Sequence, residues 1–120
     1  MTERGKTLSG LAGVVLIAVA LMMNAPPPEP KDEFLIGPWG ELEIKYVAPP
    51  LIVDKDTVLG VWYSQPRLIL IDRSLRPTMR RGVRAHELCH AALSDDYVVL
   101  PDSTEEAVCN AMEKWEIARR

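Results

Sequence analysis

The two histidines of this chain lie four residues apart, in the run His86-Glu87-Leu88-Cys89-His90. On a helix this spacing points both imidazoles to the same side, about one turn apart, so that they can bind one zinc ion. A glutamate beside the first histidine can reach a metal-bound water and take its proton. The motif therefore predicts a helix that carries two zinc ligands, His86 and His90, with Glu87 as the general base of a metal-assisted hydrolysis.

The residues around this motif repeat with the period of a helix. From Thr78 to Leu93 one face carries apolar residues and both histidines, so the histidines continue a buried stripe. Pro77 is typical of a helix start. Gly82 interrupts the helix and is consistent with the close approach of a neighbouring strand. The stripe consists of Met79, Val83, His86, His90 and Leu93.

A hydrolytic zinc site usually takes three protein ligands and leaves a fourth position to water. The chain has no further histidine, so the third ligand must be a carboxylate or a thiolate. A second helix is predicted to begin at Asp102, where Ser103 and Glu106 have the spacing of a capping box. Its predicted buried stripe is Ala107, Val108, Ala111, Met112, Trp115 and Ala118.

Two adjacent glutamates of that second helix compete for the role of third ligand. Glu105 lies at the edge of the apolar stripe, whereas Glu106 points nearly opposite to it at 100° per residue. Glu105 is therefore the predicted ligand, and Glu106 the capping residue and second choice. Asp95 and Asp96 remain alternatives. Asp96 stands where some H-E-x-x-H-x-x-G-x-x-D peptidases carry a ligand, but Leu93 occupies the place of their glycine.

The segments HELCHAAL and EEAVCNAM together resemble the zincin metallopeptidases of the glutamate-ligand branch, in particular the small ImmA/IrrE-like proteins. The resemblance covers roughly residues 67 to 115, and it implies a zinc peptidase in which Glu105 takes the place of the ligand glutamate. Cys89 replaces the usual glycine, and Cys109 stands where asparagine is expected. The tail Leu-Leu-Met-Pro of that family is missing, which weakens any transfer of substrate.

Before the metal helix, three stretches have the pattern of β-strands. Residues Leu42 to Val47 alternate apolar and charged, and the runs Val58 to Ser64 and Arg67 to Asp72 are joined by a turn at Gln65-Pro66. The expected fold is α+β: a small, mostly antiparallel sheet packed against the active-site helix and a C-terminal helix. This zincin-like domain is predicted to occupy residues 39–120.

The N-terminus carries a tail at residues 1–7 and an apolar segment at residues 8–25. Leu8 to Met23 contains no charge and follows Arg4 and Lys6, which is typical of a membrane anchor or a secretory signal. Basic residues before it and acidic residues after it predict an inside N-terminus and a domain outside the cytoplasm. Cleavage of a signal, for example after Ala20, and a cytoplasmic hydrophobic arm are the alternatives. Residues 26–38 are predicted to form a stiff, proline-rich linker.

The charge distribution bears on partners. A net charge of −3 gives no reason to invoke nucleic acid. Positive charge is nevertheless concentrated around the metal helix, where it suits an acidic substrate or lipid headgroups, or is simply a solvated helix face. The arginines concerned are Arg67, Arg73, Arg76, Arg80, Arg81 and Arg84.

Two further site predictions concern the cysteines and tyrosines. Cys89 and Cys109 must approach each other if Glu105 reaches the zinc, and they are predicted to form a disulfide, to stay as two buried thiols, or to supply a thiolate ligand. Tyr97, or else Tyr63, is a candidate to stabilise the oxyanion.

The predicted function is a membrane-anchored zinc peptidase that cleaves proteins or peptides. The alternative is a membrane-tethered binding or assembly module with a structural zinc site.

Overall fold

The computed structural model describes residues 28–119. The predicted N-terminal tail and the apolar segment at residues 8–25 lie outside this range, so the anchor remains a prediction. Within the range, no helix is long and apolar enough to cross a membrane. The elements are β1 (Glu33–Gly37), β2 (Gly40–Val47), β3 (Leu51–Val53), β4 (Asp56–Val58), β5 (Gly60–Ser64), β6 (Arg67–Asp72), α1 (Pro77–Asp95) and α2 (Asp102–Ala118).

The main sheet has four strands in the order β1-β2-β6-β5. Its two central strands, β2 and β6, run parallel, and the outer pairs are antiparallel. Strands β3 and β4 form a separate two-stranded ladder. The predicted α+β class with two helices is confirmed, but the sheet is mixed, because the chain between β2 and β6 crosses over before it pairs.

The predicted strands differ from the structure mainly at their ends. β6 has the predicted bounds, whereas β2 begins at Gly40, two residues before the predicted start. The run Val58 to Ser64 is divided between β4 and β5. β1 lies inside the range predicted to be a linker, so the sheet begins earlier than the sequence indicated.

The core lies between the sheet and α1. Ile44, Ile69 and Ile71 are fully buried, and Ile44 is opposite Ile69 in the parallel ladder. The antiparallel ladder places Trp62 of β5 opposite Ile69, so Trp62 lies on the same face as the core. Tyr63 follows it and therefore lies on the other face of the sheet.

Helix α1 begins and ends with well-defined backbone contacts. Pro77 occupies its first turn, as predicted. At its end the N–H of Tyr97 donates to the carbonyl of Ser94, and the N–H of Val98 donates to that of Leu93. This pair of bonds is a Schellman motif, and it explains why Tyr97 has a φ of 54°. Tyr97 thus ends the helix.

Helix α2 packs through a different face from the predicted one. Its one buried residue is Cys109, whereas Val108 and Trp115 of the predicted buried stripe are 41% and 61% exposed. The predicted capping box is also wrong, because Pro101 is the N-cap and no side chain caps this helix. A Cβ at Gly82 would lie 2.5 Å from Cγ1 of Ile117. The lack of a side chain at Gly82 therefore allows α2 to pack closely against α1, whereas the sequence suggested the close approach of a strand.

Candidate metal centre

The two histidines and one glutamate converge on a single point between the helices. Nε2 of His86 and Nε2 of His90 are 3.2 Å apart. Oε1 of Glu106 lies 3.0 Å from the first nitrogen, and Oε2 of Glu106 lies 3.2 Å from the second. Three potential ligand groups on two helices thus face one another.

These distances suit a tetrahedral metal ion. Zinc bonds to nitrogen and carboxylate oxygen are about 2.0–2.1 Å long, so two ligand atoms at a tetrahedral angle lie about 3.3 Å apart. The separations among His86, His90 and Glu106 are close to this value. The three groups therefore fit one face of a zinc tetrahedron and leave a fourth position for water.

The other ring nitrogens of the histidines face carboxylates. Nδ1 of His90 lies 2.6 Å from Oε2 of Glu105. Nδ1 of His86 is buried without a hydrogen-bond partner, and Oε1 of Glu113 lies 3.4 Å from it. A carboxylate at Nδ1 holds the proton on that nitrogen and leaves Nε2 free to bind a metal. Glu105 thus holds the His90 imidazole in the orientation and tautomer that a metal ligand needs, whereas Glu113 lies near Nδ1 of His86 without a hydrogen bond to it.

Glu87 lies next to strand β5 and lines the same cleft as the two histidines. It is buried, with 8% of its surface exposed, and close to Gly60, where an added Cβ would come within 3.1 Å of Cγ of Glu87. Burial raises the pKa of the Glu87 carboxyl, an effect that His86 and His90 oppose and that Glu106 and Glu113 reinforce. A partly desolvated carboxylate with a raised pKa is suited to accept a proton near neutral pH.

The carboxylates that the sequence predicted as third ligands lie at different positions in the structure. Glu106, the second choice, faces both Nε2 atoms, and Glu105, the first choice, contacts Nδ1 of His90. Asp95 forms an ion pair with Arg67. Asp96 is the C-cap of α1, with its N–H donating to the carbonyl of Ala92. Neither aspartate belongs to the cluster.

Neither tyrosine lies in the cleft over the histidines. Tyr97 is 81% exposed, and its ring packs edge to face on Trp39, with the ring centroids 6.0 Å apart. Tyr63 lies on the face of the sheet opposite to α1. The structure thus gives no contact through which either hydroxyl would reach an oxyanion at this centre.

The two cysteines form a disulfide that joins α1 to α2, with their Cα atoms 5.4 Å apart. Of the three predicted states of these thiols, this is the first. Cys89 follows His86 by three residues, and Cys109 follows Glu106 by three. The covalent link therefore lies one helical turn from a proposed ligand on each helix.

A cleft of about 300 Å³ opens over the cluster. One wall is β5, the edge strand of the main sheet, which contributes Gly60, Val61 and Trp62. Such an edge carries unpaired backbone N–H and C=O groups that can pair with an extended peptide. The cleft thus combines the histidines with a surface suited to a peptide backbone.

The sequence-based search missed two residues of this centre, Glu113 and Trp62. Glu113 follows Glu106 by seven residues, two turns along the same helix face, so a correct choice of the packed face would have found it. Trp62 could not be placed without the pairing of β5 with β6.

No protein-family model, no curated protein and no solved structure matches this chain.

Proposed function

We propose that this chain is a membrane-anchored zinc metallopeptidase of the zincin type. The observation that carries the proposal is the convergence of Nε2 of His86, Nε2 of His90 and the carboxylate of Glu106, with Glu87 buried beside them. Zinc bound there would lower the pKa of a water molecule and polarise a peptide carbonyl. A peptide substrate would lie along β5.

The chain's own groups perform the proton transfers. The Glu87 carboxylate accepts a proton from the attacking water and passes it to the leaving amine as the peptide bond breaks. Glu105 holds the His90 imidazole in place, and Glu113 lies 3.4 Å from Nδ1 of His86. A zinc peptidase site needs a general base and groups that orient its histidines. Glu87 is the proposed base, and Glu105 and Glu113 lie next to the histidines.

The proposed location rests on the sequence of Leu8 to Met23 and gains support from the disulfide. Disulfides persist outside the cytoplasm and are rare within it. The link between Cys89 and Cys109 is consistent with a domain that lies on the extracytoplasmic side. A secreted form, after signal cleavage, would share the same chemistry.

A variant of Glu87 tests the catalytic role. The full chain, loaded with zinc, should hydrolyse a quenched fluorescent peptide library. Glu87→Gln should retain stoichiometric zinc but lose about 100-fold or more of this activity, because the base is removed while its shape remains. Glu41→Gln, at an exposed position, is the matched control and should behave as wild type. A zinc-free wild type after supplementation, or unchanged turnover of Glu87→Gln, would reject the proposal.

The second candidate function is a binding or assembly module with a structural zinc. The small cleft favours it, since its 300 Å³ is at the lower end for ligand sites. In that case the wild-type chain would hold zinc but hydrolyse none of the peptides.

A further inference from the structure

The two helices form an apolar groove away from the metal cleft. Leu88, Ala92 and Met112 are among the residues that line this cavity of about 560 Å³, which we call the helix groove. Its border on α2 is exposed, with Met112 at 48% and Trp115 next to it at 61%. Exposed apolar side chains that are grouped along a groove are characteristic of binding surfaces.

The helix groove is separate from the proposed metal site. At 100° per residue, Leu88 lies about 200° around α1 from His86 and from His90. The groove and the cleft over the histidines therefore open on opposite sides of the helix pair. The disulfide borders the groove, because Cys89 is among the residues that line it.

Arginines surround one end of the groove. Arg81 and Arg119 border it and both contact Glu116, and Arg84 borders it and pairs with Glu33. Among the described residues, the exposed Arg73 and Arg76 at the start of α1 have no ion-pair partner, and Arg80 lies beside them. Five of these arginines thus lie in or just before the first half of α1, and Arg119 follows the end of α2. The same region also carries the acidic residues Glu29, Asp32, Glu33 and Glu116. We use the name arginine end for the six arginines Arg73, Arg76, Arg80, Arg81, Arg84 and Arg119.

The chain that leads to the N-terminal apolar segment leaves the domain at this same end. Pro28 and Pro30 share a cavity with Arg76 and Arg80, and Glu33 contacts Arg84. The five peptide units from Met23 to Pro28 span at most about 18 Å. If Leu8 to Met23 crosses a bilayer, the arginine end must therefore lie close to the lipid headgroups.

We propose that the arginine end and the helix groove bind the surface of an anionic phospholipid bilayer. The proposal rests on the membrane anchor of the proposed function and not on its hydrolytic activity. Guanidinium groups pair with lipid phosphates, and a tryptophan with one polar atom is suited to the headgroup level. Arg119 lies 5.8 Å from the ring centroid of Trp115, which brings both kinds of group to one place. The metal cleft would then open away from the lipid contact.

Fluorescence quenching in vesicles tests this contact. The full chain is reconstituted into phosphatidylcholine and phosphatidylglycerol vesicles with brominated acyl chains. The double variant Trp39→Phe and Trp62→Phe reports on Trp115 alone. The matched variant Trp62→Phe and Trp115→Phe reports on Trp39, which is 49% exposed and packs on Tyr97 beyond the other end of α1. We expect brominated lipid to quench Trp115 at least twofold more than Trp39.

Three further measurements separate the outcomes: quenching of an arginine variant, flotation of the vesicles and light scattering. Exchanging Arg73 and Arg76 for glutamine should reduce the quenching of Trp115 in anionic vesicles and have little effect in neutral ones. Equal quenching of Trp115 and Trp39 in vesicles that float with the protein would overturn the lipid contact and leave the hydrolase proposal intact. Failure to float would overturn the anchor and this contact together. Unquenched Trp115 with a dimer in light scattering would assign the groove to a second copy and also overturn the proposal.

Discussion

Glu105 and Glu106 are adjacent in the chain but contact different atoms of the two histidines. Glu106 faces the two Nε2 atoms, and Glu105 faces Nδ1 of His90. The sequence favoured Glu105 because Val108 and Met112 were expected to be buried, but they are 41% and 48% exposed. The disulfide fixes the rotation of α2 instead. The buried residue Cys109 marks the packed face, and that signal was present in the sequence.

The two glutamates should therefore respond differently to substitution. Glu106→Ala removes a proposed ligand, so the full chain should lose stoichiometric zinc. Glu105→Ala removes only the partner of His90 Nδ1, so zinc should remain but bind roughly 10- to 100-fold more weakly. Competition with a chromophoric chelator measures both affinities. The reverse ranking would restore Glu105 as the ligand.

At the scale of elements, local patterns predicted α1 and β6 well. The helical period covers Thr78 to Leu93, and α1 extends it by one residue at the start and two at the end. The structure's β1 and the parallel pairing of β2 with β6 could not be predicted, because both depend on partners distant in sequence. The predicted packed face of α2 was wrong because its apolar pattern was given more weight than Cys109, the buried residue of this helix.

Close contact between β5 and α1 depends on a glycine. A Cβ at Gly60 would lie 2.6 Å from Cγ1 of the buried Val83, so Gly60→Ala must displace the strand from the helix. We expect a loss of about 1–3 kcal/mol in the free energy of unfolding, together with reduced activity, since Glu87 lies beside the contact. Gly37→Ala is the control, because nothing lies within 4 Å of its added Cβ. Thermal unfolding of the full chain in detergent measures both. Equal stability of the two variants would contradict the contact.

At the scale of the whole molecule, a few polar contacts join the sheet to the helices. Arg84 of α1 donates to both carboxylate oxygens of Glu33 in β1, and the hydroxyl of Tyr46 also donates to Glu33. Arg67 at the start of β6 pairs with Asp95 at the end of α1. The contact between Arg84 and Glu33 holds β1, the edge strand nearest to the predicted anchor. Its strength therefore affects how firmly the domain is held to the segment that leads to the anchor.

Acid should weaken the contact at Glu33. The hydrogen bond from Arg84 lowers the pKa of the Glu33 carboxyl in the folded chain, so this stabilisation is present above the unfolded pKa of about 4.3 and is lost as the pH falls through the folded value. Glu33→Gln should therefore cost about 1 kcal/mol at pH 7, and its difference from wild type should shrink toward pH 3. Unfolding curves at several pH values, with Glu41→Gln as control, check this. If the difference in unfolding free energy between Glu33→Gln and wild type did not change with pH, the substitution would act through the shape of the side chain and not through its charge.

The disulfide has a consequence for how the proposed metal ligands are assembled. His86 and His90 lie on one rigid helix, but Glu106 belongs to another, and bringing two helices together around an ion costs conformational entropy. The bond between Cys89 and Cys109 closes a loop of about 20 residues and, by loop entropy, constrains the unfolded chain by about 3 kcal/mol. Oxidation therefore raises the effective concentration of the Glu106 carboxylate at the histidines before any ion arrives. Joining the thiols thus preorganises the proposed ligand set.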